Sequence, residues 1–290
     1  MVIVFNPTAG RRRMEALCQL IDLLSANGIR FQIFETRRAG DAESRTRQAV
    51  REGADMVVAA GGDGTIAEVA NGLLGSTVSL GVVPLGTANV LAHELALPFA
   101  PRDIAKALAF GRTKPLWPGL ATGPDGPRVF VQMLGAGFDA QVVHHLPPGL
   151  KRLLGRAAYA LQTVRELPRY EHKRIRVRLD GQEAEAAAVI VSKGRLYAGE
   201  YLLAPAARPG EPGFSVVLFD TGGASATLRY GAALLANVLS RARGVTHIRA
   251  GRIDFLGNDP VPVQTDGDGG GFTPLSIRDA PTPIQIVVAA

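Results

Sequence analysis

Gly61-Gly62-Asp63-Gly64-Thr65 lies between an apolar run, Met56 to Ala60, and a segment that places Ile66, Val69, Ala70, Leu73 and Leu74 on one helical face. Glycines at such a junction let the backbone turn sharply and approach a ligand. The N–H groups that open the helix then attract an anion, helped by the helix dipole. The pattern suits phosphate, and Thr65 is placed to cap the helix. Two more small-residue turns follow predicted strands, Asn6-Pro7-Thr8-Ala9-Gly10 and Pro84-Leu85-Gly86-Thr87-Ala88-Asn89. Singly each reads as a plain turn; three on one sheet edge point to a shared ligand. No G-x-x-x-x-G-K-[ST] occurs, and the first 118 residues hold only Lys106 and Lys114. Backbone amides with Mg²⁺, rather than a P-loop lysine, therefore have to neutralise the phosphates.

A second chemical signal is Asp266-Gly267-Asp268, just after the run Val261 to Gln264. A calcium loop needs an acid at its twelfth position, which here is Ile277. Two carboxylates on a flexible, glycine-lined turn suit the uptake of an alcohol proton or the placement of Mg²⁺ in phosphoryl transfer. A plain turn is the alternative.

The elements that must position these residues change character along the chain. Residues 1–118 alternate apolar runs with helical patterns, the signature of an α/β domain with a parallel sheet. The predicted strands are Val2 to Phe5, Phe31 to Phe34, Met56 to Ala60 and Leu80 to Val83. Ligands of open α/β sheets bind beyond the carboxyl ends of the strands, where the turns above fall. Residues 119–290 read instead as a β-sandwich of short runs: Val129 to Met133, Ile175 to Leu179, Ala188 to Val191, Phe214 to Phe219, Arg252 to Phe255, Val261 to Gln264, Leu275 to Ile277 and Ile284 to Val288. A helical insert near 150–170 carries an apolar stripe of Leu150, Leu153, Leu154, Ala157, Ala158 and Leu161, and a further helix is predicted around Leu228 to Leu239.

With 290 residues and 47% apolar content the chain can build two cores. Its one cysteine, Cys18, excludes an internal disulfide and reads as a small buried apolar residue. No signal peptide or transmembrane run is predicted, so the expected location is cytoplasmic. A net charge of +6 favours anionic partners. Residues 151–178 hold nine Lys/Arg against Glu166 and Glu171, which suits a membrane-facing element as well as a solvated one. Nucleic acid is not expected, because no zinc-finger spacing, RNP-type motif or aromatic-interleaved basic patch is present.

Taken together the motifs resemble the diacylglycerol kinase catalytic-domain family, which includes bacterial lipid kinases and the sphingosine and ceramide kinases. Asn6 to Gly10 is similar to the family's NPxSG, Gly61 to Thr65 to GGDGT, and Pro84 to Asn89 to PLGTxN. Gly137-Phe138-Asp139-Ala140 matches GFDA, and Asp266-Gly267-Asp268 is similar to DGE. The resemblance implies ATP on the first domain, in contact with Asn6, Pro7, Thr8, Ala9, Gly10, Thr36, Gly61, Gly62, Asp63, Gly64, Thr65, Ile66, Ala67 and Thr87. It implies a lipid acceptor held with the help of the sandwich, and a catalytic base at Asp266 or Asp268, with Asp63 the choice made for sphingosine kinases. Mg²⁺ is expected with the nucleotide.

This chain departs from the family pattern in two ways. Asp268 replaces a glutamate and is one methylene shorter. Bacterial members often hold a structural Mg²⁺ on acids of a D-D-G-L-L-D-like segment and a supporting Asp in the strand entering the second domain. The corresponding stretches here, residues 208–215 and 116–119, keep only Glu211. Such a subgroup packs the region without the ion, and no protein metal site is expected. The reading is then an ATP-dependent lipid kinase on the inner face of the membrane, acting beside anionic phospholipid, with a homodimer allowed. An NAD kinase-like enzyme and a nucleotide-binding regulator without catalysis are the alternatives.

Overall fold

The computed structural model describes residues 1–9, 14–147, 149–150, 156–257 and 259–289, without the side chains of residues 156 and 157. Gly10 and residues 151–155 of the expected insert lie outside the described residues. The chain divides into two units, Met1–Trp117 with Ala280–Ala290, and Pro118–Asp279.

The first unit runs β1 (Val2–Phe5), α1 (Met14–Ala26), β2 (Gln32–Glu35), α2 (Asp41–Arg51), β3 (Met56–Gly61), α3 (Asp63–Leu73), β4 (Ser79–Pro84), α4 (Val90–Glu94), α5 (Pro101–Phe110) and β5 (Arg112–Leu116). Its six-stranded sheet has the order β2-β1-β3-β4, then the chain's last strand Ile284–Val288, then β5. β2, β1, β3 and β4 run parallel in register, while β5 is antiparallel to the last strand. β1, β3 and β4 are buried almost throughout, as expected for strands covered on both faces. Leu17, Leu20 and Leu24 of α1 pack with Ile104 and Leu108 of α5 against Ile3, Val58 and Val83. Cys18 falls on the other side of α1 and is exposed, so the buried role expected for it does not hold. The last strand, grouped by its sequence with the second domain, returns to the first sheet. A five-residue apolar run does not encode which sheet it joins.

The second unit comprises β6 (Gly119–Gly123), β7 (Gly126–Phe130), β8 (Met133–Ala136), α6 (Phe138–His144), α7 (Arg156–Glu166), β9 (Ile175–Leu179), β10 (Gln182–Ala186), β11 (Ala188–Ser192), β12 (Leu196–Tyr197), β13 (Tyr201–Leu202), β14 (Phe214–Phe219), α8 (Ala224–Leu235), β15 (Val245–Ala250), β16 (Arg252–Leu256), β17 (Pro262–Thr265), β18 (Asp268–Phe272) and β19 (Leu275–Asp279). Two antiparallel six-stranded sheets, β10-β9-β16-β19-β6-β7 and β15-β14-β11-β8-β17-β18, form the sandwich. Phe130, Leu134, Val177, Val191, Phe214, Ile253, Val263 and Ile277 lie in the core between them. α8 covers the outer face of the second sheet through Ala226 and Tyr230, beside Met133, Ile190 and Val217.

Candidate active site

The parallel strands β1, β3 and β4 each end in one of the three turns picked out by sequence, and Thr36 follows their parallel neighbour β2, so these residues lie along one sheet edge. They are tied to one another. The Asn6 N–H donates to Ala60 O at 2.9 Å and the Asn6 Nδ2 donates to Thr65 Oγ1 at 3.1 Å. Asn6 Oδ1 in turn accepts from the Thr8 N–H and hydroxyl. The Thr36 N–H donates to Phe5 O, and those of Leu85 and Gly86 both donate to Gly61 O. Gly62 and Gly86 lie back to back, since a Cβ on Gly86 would stand 2.5 Å from Gly62 Cα.

Gly62 is the residue before α3 and no side chain caps the helix. The expected cap, Thr65, sits one turn inside, where its hydroxyl serves Asn6 instead. The first N–H groups of α3 therefore have no acceptor within the helix, the arrangement that suits a phosphate. Ile66 sends its side chain into the core and its N–H to Gly62 O. Thr87 and Thr8 are exposed on this edge.

Asp63 Oδ1 accepts from the Leu91 N–H at 3.3 Å, linking the GGDGT turn to the start of α4. Burial pushes the Asp63 carboxyl above its ordinary value, and the backbone N–H groups of Leu91, Val90, Asp63 and Asn89 pull it back. A cation beside this half-buried acid would offset the same desolvation, so the residues present fit a nucleotide-bound Mg²⁺.

The acidic turn of the second unit is a hydrogen-bonded hairpin. Asp266 and Gly267 have φ of 49° and 83° between paired Thr265 and Asp268, the two left-handed central residues of a tight Asp-Gly hairpin. The Asp266 carboxylate accepts three backbone N–H groups, Val131 at 2.7 Å and Gln132 and Met133 at 2.9 Å. It fastens the hairpin to the segment joining β7 to β8. Asp268 opens β18 and is exposed.

Behind this hairpin lies a relay that sequence reasoning did not assign. The Tyr197 hydroxyl donates to Asp139 Oδ1, and the Gln264 Nε2 donates to Asp139 Oδ2 at 2.9 Å. Gln264 Oε1 then accepts from the Gly267 N–H at 2.8 Å. Burial pushes the Asp139 carboxyl up, opposed by the two hydrogen bonds it accepts. The GFDA motif was the available signal for Asp139; Tyr197 and Gln264 carried none.

The region expected to lack a structural metal contains an ammonium. Lys193, its side chain wholly buried, places Nζ 3.1 Å from Glu211 O, 3.0 Å from Gly213 O and 2.7 Å from Asp279 Oδ1. Asp279 Oδ2 accepts from the Gly213 N–H. Among the described residues no group of three or more His, Cys, Asp or Glu is placed to hold a metal.

Comparison with known proteins agrees with this architecture. Residues 1–119 match the model of the diacylglycerol kinase catalytic domain, and residues 132–288 match the YegS C-terminal NAD kinase beta sandwich-like domain. A Bacillus subtilis (strain 168) protein named diacylglycerol kinase is 28% identical over 280 residues, covering 94% of this chain and 90% of its own length. A Xanthomonas oryzae pv. oryzae (strain MAFF 311018) protein named "Probable lipid kinase YegS-like" is 30% identical over 276 residues, covering 87% and 84%. The fold matches a crystal structure of a diacylglycerol kinase from Bacillus anthracis str. Sterne with a TM-score of 0.72 at 20% identity, over 99% of this chain and 96% of that one. A second solved chain from that organism gives 0.81 at 23% identity, over 99% and 94%. By its two domain matches and its relatives, the chain belongs to the diacylglycerol kinase family of lipid kinases.

Proposed function

We propose that the chain transfers the γ-phosphate of ATP to the hydroxyl of a membrane lipid such as diacylglycerol. The observation that carries this reading is the edge of interlocked turns opening onto uncapped α3, in a chain whose relatives are named as lipid kinases. The turns Asn6 to Gly10 and Gly61 to Ala67, with Thr36 and Thr87, hold the nucleotide. Backbone N–H groups take the place of a P-loop lysine there. Asp63 would stand beside the nucleotide's Mg²⁺, which would supply charge neutralisation on the phosphates. Asp63 itself acts by joining two of the turns.

The acceptor hydroxyl oxygen forms a bond to the γ-phosphorus as the bond to the ADP oxygen breaks, and its proton passes to a carboxylate. Of the two acids at the hairpin, Asp268 is the base. Asp266 already spends both oxygens on backbone N–H groups. The enzyme works at the membrane surface beside anionic phospholipid, which its net charge of +6 favours.

Asparagine keeps the shape of Asp268 but takes up no proton, so Asp268→Asn should lower kcat by roughly 10² to 10⁴-fold with ATP affinity unchanged. Asp63→Asn should weaken ATP binding along with turnover. Near-normal kcat in Asp268→Asn, with turnover lost at intact ATP affinity in Asp63→Asn, would transfer the base to Asp63.

A further inference from the structure

Most helices on a folded protein hide one apolar stripe and present a polar one. α8 does not. Its inner side, Ala226 and Tyr230, is buried on the sandwich, and Tyr230 is pinned by its hydroxyl to Gly244 O at 3.0 Å. On the outer side Leu228 is 58% exposed and Leu235 62%, one above the other at a spacing of seven. Ala224 and Ala232 extend the stripe between and before them, and Val238, 45% exposed, continues it past the helix end. The outward face thus holds leucine and alanine where a solvated helix holds charge.

The charges that do flank this face have one sign. From residue 221 to residue 253 there is no Asp or Glu, while Arg229, Arg241, Arg243, Arg249 and Arg252 all fall in that span. Arg249 and Arg252 are engaged, with Glu211 and Asp254. Arg229, Arg241 and Arg243 are exposed and make no ion pair among the described residues; Arg229 lies over the Tyr230 ring at 5.0 Å.

We propose that α8 and the turn after it are the membrane-docking face: Leu228, Leu235 and Val238 enter the headgroup boundary of an anionic bilayer while Arg229, Arg241 and Arg243 meet its phosphates. Charge decides against a second copy of this chain as the occupant. A two-fold contact through this patch would set the same arginines against each other with no acid in the segment to answer them. An anionic lipid surface complements both the apolar stripe and its basic border. The site is distinct from the insert at residues 150–170, to which the sequence had assigned this role. Hydrogen bonds connect the end of α8 to the acidic hairpin. The Asn237 side chain just past α8 accepts from the Leu202 N–H, and β13 pairs with β12, whose Tyr197 begins the relay to Gly267.

The inference deepens the lipid-kinase reading by naming its membrane contact, and co-sedimentation of the full chain with vesicles tests it separately from turnover. Wild type should bind phosphatidylcholine vesicles containing phosphatidylglycerol and bind pure phosphatidylcholine weakly. Leu228→Glu with Leu235→Glu should lower binding by more than about tenfold, since charge in the stripe opposes insertion. Arg241→Gln with Arg243→Gln should cost roughly fivefold per charge, on anionic vesicles only. Both variants should keep the wild-type melting temperature and the wild-type rate on a short-chain, water-dissolved acceptor. Wild-type vesicle binding by the leucine variant would overturn the proposal. So would a wild type that ignores anionic vesicles and forms a dimer dissolved by Leu235→Glu. Docking that depends on these residues, in a protein that phosphorylates no lipid, would support the surface and defeat the lipid-kinase reading instead.

Discussion

Asp266 has two oxygens, and the N–H groups of Val131, Gln132 and Met133 converge on them. Asparagine would offer one acceptor oxygen and turn an NH₂ group toward a backbone donor, leaving at least one N–H unanswered. Asp266→Asn should therefore destabilise the second unit by roughly 1–3 kcal/mol, read as a lowered melting temperature, before any effect on chemistry. An Asp266→Asn protein with wild-type melting and the kcat loss expected of Asp268→Asn would show that Asp266 meets the reacting hydroxyl. Lys193 shows the same division between holding a fold and serving a reaction. Its ammonium gathers two backbone carbonyls and Asp279 at the segment where the resemblance implies a metal in relatives. Burial pushes the Lys193 amine down from its ordinary value, and Asp279 pulls it back up. Neither arrangement was legible in the sequence, because Asp266 and its donors stand 133 to 135 positions apart, and Lys193 and Asp279 stand 86 apart.

At the scale of elements the turns act as a unit because two of them touch through glycine. A methyl group on Gly86 would meet Gly62 Cα at 2.5 Å and the side-chain Asn89 Oδ1 at 2.8 Å, and the Gly62 backbone cannot swing aside as a side-chain end could. Gly86→Ala should abolish ATP binding, measured by calorimetry, while the second unit keeps its own unfolding transition. Retained ATP affinity would place the nucleotide elsewhere. The strands that end in these turns were legible within a residue or so, since Val2–Phe5 and Met56–Gly61 are continuous apolar runs bounded by turn residues. The hairpin at Asp266-Gly267 was not read, because its second strand, Asp268–Phe272, is mostly glycine and shows no apolar run. Less was legible where a choice of partner decides the outcome. Val129 to Met133 read as one strand but is the end of β7 and the start of β8, broken where Asp266 grips the backbone. Thr65 had the composition of a cap, yet the chain starts α3 two residues earlier and spends the hydroxyl on Asn6.

At the scale of the whole molecule, a parallel-sheet unit that suits nucleotide is joined to a sandwich bearing the acidic hairpin and an apolar, arginine-edged helix. Among the described residues no helix is long and apolar enough to cross a membrane. Label transfer from γ-labelled ATP identifies the acceptor. Purified protein would be given Mg²⁺ and one of three acceptors: diacylglycerol in anionic vesicles, soluble NAD, or none. Under the proposed mechanism, label should enter the lipid extract only when diacylglycerol or a related lipid alcohol is added, and should be lost in Asp268→Asn. Label appearing in NAD, or ATP turnover that no lipid hydroxyl increases, would contradict it.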